Sequence, residues 1–225
     1  MYFSQLPSVQ STLSNASFAL RFDMDSFEQQ DFETHGLSFP PKLDKAVPKR
    51  RAEFLAGRIC AQHALSMVGV NDFQVLAGQD RAPIWPKNVL GAITHSKGLA
   101  MAVVIDASAY KGIGLDIEHF MSDKREHDLQ KHLLCEQEQT QFKLLGHVCS
   151  HPLTLVFSAK ESIFKALYPS VNAFFGFEAA ALIEFNNTQL RFEITKSLSD
   201  VVPKGTQVTV HYQHFENWLL TECCV

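Results

Sequence analysis

Residues 112 to 118 read Gly-Ile-Gly-Leu-Asp-Ile-Glu, and a strand sorts this stretch cleanly. Successive strand side chains point to opposite faces, so Ile113, Leu115 and Ile117 share one face while Asp116 and Glu118 share the other. Any fold containing this strand must bury the apolar trio on one side and settle two carboxylates on the other. Neighbouring carboxylates repel each other, and a hard divalent ion such as Mg²⁺, which takes oxygen ligands, neutralises them. The plainer reading is an exposed edge-strand face, where acidic residues are common. Further along, Phe157-Ser-Ala-Lys-Glu-Ser-Ile-Phe-Lys165 has Glu161 and Lys165 four apart, hence on one helix face. A helix laid across the acidic face would let Glu161 complete an acidic trio, with Lys160 and Lys165 adding positive charge beside it. That is equipment for holding a phosphorylated substrate through a metal ion.

The rest of the chain reads as helices and antiparallel strands. Residues 17–22 form an early strand, and 23–48 a polar loop with at most one short helix, punctuated by Gly36, Pro40 and Pro41. Pro48 suits the first turn of a helix, and Phe54, Leu55, Ile59, Leu65 and Val68 follow at helical spacing up to a stop at Gly69. Strands are expected near 73–76, 91–95, 99–105 and 112–118. Residues 124–147 are charged and mostly helical. Pro152 opens a second long helix expected to stop before Pro169, and strand-like runs near 179–185, 189–194 and 207–220 close the chain. One helix with about three antiparallel strands thus occurs twice, an α+β pattern with a link near 106–111.

Composition removes several function classes. Hydrophobic residues make up 46% of the 225 residues and charged ones 20%, an ordinary globular balance, and a net charge of −4 argues against a nucleic-acid surface. No stretch approaches the roughly 18 consecutive apolar residues of a membrane span. The start lacks the basic and apolar regions of a secretory signal. Cys60, Cys135, Cys149, Cys223 and Cys224 are odd in number and fit neither a disulfide framework nor a zinc site, so a reducing cytoplasm is expected.

The pairing of an I-G-x-D-x-E strand with an S-x-K-E-S-x-x-K helix resembles the 4′-phosphopantetheinyl transferases, in their siderophore-synthesis branch of the enterobactin synthetase component D type. Arg50-Arg51-Ala-Glu-Phe-Leu-Ala-Gly-Arg58, Arg81-Ala-Pro-Ile-Trp-Pro86 and Thr94-His95-Ser96 follow the same family in order, so the resemblance covers roughly residues 48 to 168. It implies two similar α+β halves related by pseudo-twofold symmetry, with the active site in the cleft between them. Residues 1–108 would form the half that binds coenzyme A and 109–225 the metal-binding, catalytic half. The implied reaction moves the phosphopantetheine arm of coenzyme A to a serine of an apo carrier protein, whether peptidyl, aryl or acyl, and releases 3′,5′-adenosine bisphosphate. The implied partners are carrier domains of nonribosomal peptide, aryl, fatty-acid or polyketide synthases, and the chain is expected to be a monomer.

The resemblance also distributes roles. Asp116 and Glu118 become Mg²⁺ ligands, and Glu161 the third ligand first, or a base on the serine hydroxyl. Lys165 contacts phosphate as charge grows on the leaving group; Lys160 does the same or is only solvated. Arg51 and Arg58, seven apart on one helix, reach a common pocket, whereas Arg50 reads as a solvated helix residue. Arg81 falls where the family keeps a basic residue at the 3′-phosphate, and Thr94 and His95 offer hydroxyl and imidazole to phosphate. Glu138 or Glu136 is a secondary candidate for proton transfer. Phe157 stands where many relatives have tryptophan, Thr94 replaces a common serine, and His119 has no account. The competing readings are a metal-dependent phosphohydrolase, which has no need of the Arg81 block, and a coenzyme A-binding regulatory module without transfer activity.

Overall fold

The computed structural model describes residues 1–225, and the chain divides into two compact units, Met1–Ser108 and Ala109–Val225. In the first unit, strands β1 (Phe3–Gln5) and β2 (Ser17–Phe22) precede a one-turn helix α1 (Asp31–Thr34) and the long helix α2 (Pro48–Ser66). A two-residue hairpin, β3 (Leu76–Ala77) and β4 (Pro83–Ile84), leads into β5 (Val89–Ser96) and β6 (Leu99–Asp106). The four longer-range strands form an antiparallel sheet in the order β1-β2-β6-β5. Helix α2 lies on one face. Its buried Ala52, Leu55, Ala56, Ile59 and Ala64 meet Phe18, Leu20, Ala100, Ala102 and Val104 in one cluster. The small residues let the helix sit close; a Cβ on Gly57 would come within 2.7 Å of Ile93 Cγ2.

The second unit runs β7 (Ile113–His119), α3 (Asp123–Leu133), α4 (Gln139–Leu145), α5 (Pro152–Val171), β8 (Ala180–Phe185), β9 (Gln189–Ile194), β10 (Gln207–His214) and β11 (Trp218–Cys224). Its antiparallel sheet has the order β7-β11-β10-β9-β8. Helix α5 covers one face, burying Leu155, Val156, Ala159, Ile163 and Ala166 with Leu182, Phe192, Val208, Val210 and Leu219. The mixed helix and antiparallel sheet make each unit α+β.

Three elements differ from the sequence reading: the strand expected near 73–76 is only the two-residue β3, Leu76–Ala77, and two others depart as follows. Helix α5 does not stop before Pro169 but runs to Val171. A proline so near the end forfeits only one backbone bond, and the helix closes three residues later on Asn172, in the left-handed region at φ 53°, whose N–H donates to the Tyr168 carbonyl. The run 207–220 is not one strand but parts of two, β10 and β11, because the chain reverses at Phe215-Glu216-Asn217, where Phe215 N–H donates to Trp218 O at 2.9 Å. That turn contains neither glycine nor proline, so composition does not announce it.

Candidate active site

Gly112 and Gly114 set the distance between β7 and α5. A Cβ on Gly112 would meet the Ala166 carbonyl oxygen at 1.8 Å, and one on Gly114 the Ser162 carbonyl oxygen at 1.8 Å. Only glycine at these alternate positions lets the helix backbone rest on the strand. Asp116, two residues on from Gly114 and on the same face, is thereby brought against α5. Far from being an exposed strand face, it is only 8% exposed.

Two side chains of α5 grip Asp116. Lys165 Nζ donates to Asp116 Oδ1 at 2.9 Å and to the Leu115 carbonyl at 2.8 Å. Ser158 Oγ donates to Asp116 Oδ2 at 2.8 Å. Behind Ser158 lies a buried hydroxyl cluster: Thr221 Oγ1, cross-strand neighbour of Asp116, is 2.9 Å from Ser158 Oγ and 2.8 Å from Ser162 Oγ. The sequence reading carried Ser158 and Ser162 as fixed positions of the S-x-K-E-S-x-x-K block without giving them a role, and it passed over Thr221. Their signal was the i, i+4 spacing of Ser158 and Ser162 in a helix that otherwise buries alkyl groups. Ser158→Ala strips Asp116 Oδ2 of a buried donor and is expected to cost about 1–3 kcal/mol of stability. Urea unfolding reads this; a variant as stable as the parent would mean that Ser158 does not hold Asp116.

Glu161 completes the group. Burial raises its carboxyl pKa and the Asp116 charge raises it further, while Lys165 opposes both. Glu118 is paired instead with Arg125 of α3, at 3.4 Å. No three His, Cys, Asp or Glu side chains are gathered in a geometry ready for a metal ion. The donor set is chemically suited to one nonetheless. All three acids offer hard oxygen ligands, and the repulsion between Asp116 and Glu161 is what a divalent cation relieves.

Lys160 and Glu138 lie elsewhere. Lys160 is 3% exposed, and its ammonium donates to the Leu133 carbonyl at 2.8 Å, Glu138 Oε1 at 2.5 Å and the Phe177 carbonyl at 3.0 Å. All three donors are used, so it is neither solvated nor open to phosphate. Glu138, fully buried, also accepts from the N–H groups of Cys135 and Leu182. The pair ties the 3₁₀ turn Glu136–Glu138 to α5 and β8. Glu136 stands in the same turn with no polar contact to Asp116, Glu161 or Lys165.

In the first unit, Arg50 and Arg51 make contacts other than those the sequence reading expected. Arg51 donates to the Leu43 carbonyl at 3.1 Å, Gln29 Oε1 at 3.1 Å and the Asp44 carbonyl at 2.6 Å, so it fastens the 29–44 segment to α2. Arg50 is the residue at His95, its guanidinium 2.6 Å from Nε2, with Glu53 at 3.7 Å from both side chains. Arg58 is 7% exposed, lies over the Phe54 ring at 4.2 Å, and has a buried Nε without a hydrogen-bond partner. Burial pulls its pKa down to about 10, and the Arg50 charge adds to this. Two guanidiniums, that of Arg58 with an unpaired Nε, and an imidazole suit an anion such as phosphate. Thr94, next to His95 on β5, turns to the opposite face and is buried. Arg81 is exposed in the β3–β4 turn at φ 73°, its N–H donating to the Gly78 carbonyl at 3.1 Å.

The chain is similar to known proteins over most of its length. A family profile described as the 4′-phosphopantetheinyl transferase N-terminal domain matches residues 39–105, and one described as the 4′-phosphopantetheinyl transferase superfamily matches residues 112–223. The chain is 33% identical over 205 residues to enterobactin synthase component D of Escherichia coli (strain K12), covering 91% of this chain and 90% of that protein. It is 32% identical over 196 residues to enterobactin synthase component D of Salmonella typhi, covering 86% and 81%. It is 36% identical over 149 residues to 4′-phosphopantetheinyl transferase Svp of Streptomyces mobaraensis, covering 65% and 61%.

Proposed function

This chain belongs to the 4′-phosphopantetheinyl transferase superfamily, and from that membership we propose how its residues divide the work. The protein transfers the phosphopantetheine arm of coenzyme A to carrier proteins of siderophore or other nonribosomal peptide synthesis. In this transfer the carrier serine oxygen bonds to the β-phosphorus and the bond from that phosphorus to the bridging oxygen breaks. The serine proton must leave, and the electron pair departs on 3′,5′-adenosine bisphosphate.

The observation that carries the assignment of the chemistry to the second unit is the clamp of α5 on β7. It sets Asp116, Lys165 and Glu161 within one another's electrostatic reach. Lys165 supplies positive charge to the oxygens that become more negative as the leaving group departs. Glu161 completes the acid set with Asp116 and Glu118, and its carboxylate is also the candidate to take up the serine proton. A magnesium ion on those three acids supplies further charge stabilisation to the pyrophosphate when bound. Asp116 is held in place by Ser158, so its carboxylate orientation does not depend on Lys165 alone.

The nucleotide end falls to the first unit. Arg50, Arg58, His95 and Arg81 hold the phosphates there, while Arg51, Thr94 and Lys160 serve the fold. Support comes from the unsatisfied Arg58 Nε and from the Arg50–His95 contact. The likeness of the halves belongs to the same proposal, since each lays one long helix, α2 or α5, on an antiparallel sheet. A cytoplasmic monomer is proposed as well, in keeping with five cysteines that are all free; no helix is long and apolar enough to cross a membrane.

Mass spectrometry of an apo carrier domain incubated with coenzyme A, with and without Mg²⁺, tests the activity: one phosphopantetheine mass per carrier is expected, only with the metal present. Calorimetry tests the nucleotide end. Arg50→Ala should weaken coenzyme A by about tenfold, the worth of one charged hydrogen bond. It should weaken 3′-dephospho-coenzyme A less if the contact is to the 3′-phosphate, and Arg51→Ala should spare both affinities. Equal binding by the Arg50→Ala protein and its parent would remove Arg50 from the site.

A further inference from the structure

The positions of β11 that face α5 are Leu219, Thr221 and Cys223, and the outer two belong to the apolar cluster beneath that helix. A valine would complete the row. Threonine instead brings a hydroxyl to a place cut off from solvent, where it meets Ser158 and Ser162 of α5, all three residues being 0% exposed. Burying three hydroxyls where alkyl groups would pack costs free energy unless each is bonded. The contacts also fix where the protons lie. The Asp116 carboxylate, paired with the Lys165 ammonium, only accepts, so Ser158 gives its single proton to Oδ2 at 2.8 Å. The 2.9 Å contact between Ser158 and Thr221 then needs the Thr221 proton. The 2.8 Å contact between Thr221 and Ser162 needs the Ser162 proton, which the Thr221 carbonyl shares at 3.0 Å. Every donation runs one way, from Ser162 to Thr221 to Ser158 to Asp116, and each bond polarises the next.

We propose that Thr221 is a positioning residue for the metal-binding acids, acting through Ser158 to hold the Asp116 carboxylate in the orientation that takes a divalent cation. The inference rests on the transferase reading, in which Asp116 is a ligand. A serine inside a helix readily turns its proton to the carbonyl four residues back. Donation from Thr221 occupies the Ser158 oxygen and keeps its O–H aimed at Asp116. The carboxylate plane is then fixed from both ends, by Lys165 on Oδ1 and Ser158 on Oδ2. Thr221 is the direct partner of Asp116 in the β7–β11 register, so strand pairing itself sets the spacing of the relay. Groups that hold a ligating carboxylate from behind typically govern metal affinity by about 10–100-fold.

Mn²⁺ binding, followed by electron paramagnetic resonance with coenzyme A present and no carrier, tests this apart from turnover. Thr221→Val keeps the shape and removes the hydroxyl, and the Mn²⁺ Kd should rise about tenfold. Thr221→Ala, which cannot overfill the site, should weaken Mn²⁺ as much, and Thr221→Ser should restore most of the affinity. Ser158→Ala should weaken Mn²⁺ by a similar factor, and adding Thr221→Val to it should change nothing more, because the relay is already cut. Coenzyme A affinity measured without metal should match the parent's in every variant. A Thr221→Val protein with the parent's Mn²⁺ Kd overturns the role. So do losses that add in full in the double variant, since Thr221 would then act by another route. A parent that binds no Mn²⁺ overturns it as well. A parent that binds Mn²⁺ with this pattern yet moves no phosphopantetheine fails the transferase reading, while the positioning of Asp116 by Thr221 stands.

Discussion

Lys165→Ala is expected to lower single-turnover transfer by about 10²–10³, the usual loss when a donor aimed at developing charge is removed, while coenzyme A affinity falls far less. The lysine's ammonium is 2.9 Å from Asp116 Oδ1, a fixed contact, and it is partly exposed on its open side. Positive charge held in place matters most when the leaving bisphosphate gains charge, so the transition state should suffer more than the bound substrate. The substitution also acts on Glu161. Lys165 holds that carboxyl's pKa down against burial and Asp116, so its loss should raise the pKa further. A base with a raised pKa is ionised only at higher pH. In the metal-free protein the titration of Glu161 should therefore move to higher pH in Lys165→Ala and return partway in Lys165→Arg, whose charge is retained on a wider fork. Single-turnover rates with binding measured separately check the first part, and an NMR titration of Glu161 without metal checks the second. Equal losses of affinity and rate would make Lys165 a uniform binding contact.

The second large effect falls on stability. Lys160→Ala is expected to cost about 3–5 kcal/mol, the range for removing one member of a buried ion pair. Glu138 is left with a carboxylate in the core, still accepting from Cys135 and Leu182 N–H groups but without its cation. Burial already pulls the Lys160 pKa down and Glu138 pushes it back. Replacing both, as in Lys160→Met with Glu138→Leu, should recover most of the loss, because no unpaired charge remains. Urea unfolding of the two single variants and the double variant closes the cycle. A stable Lys160→Ala protein that binds coenzyme A poorly would instead place the ammonium on phosphate.

Local period accounts for what is legible in the chain by itself. Alternation from Ile113 to Glu118 separates apolar from acidic positions whatever the strand pairs with, and the helical spacing of Glu161 and Lys165 holds for any helix through them. The ordered blocks from Arg50 to Lys165 point to the family for the same reason, since each is a short local pattern. Long-range packing settles the remainder. Arg50 and Arg51 are adjacent, about 100° apart around α2, and only the roll of that helix on its sheet sends Arg50 to His95 and Arg51 to the 29–44 segment. Lys160 sits beside Glu161 in sequence, but the same rotation turns it inward to Glu138 across 22 residues of chain. Asp116 is buried because Gly112 and Gly114 admit α5 to the strand, and Thr221 joins it only through the β7–β11 register. Period tells which residues share a face; which faces meet is decided by burial and close approach between distant segments, and those energies are absent from any local stretch of sequence.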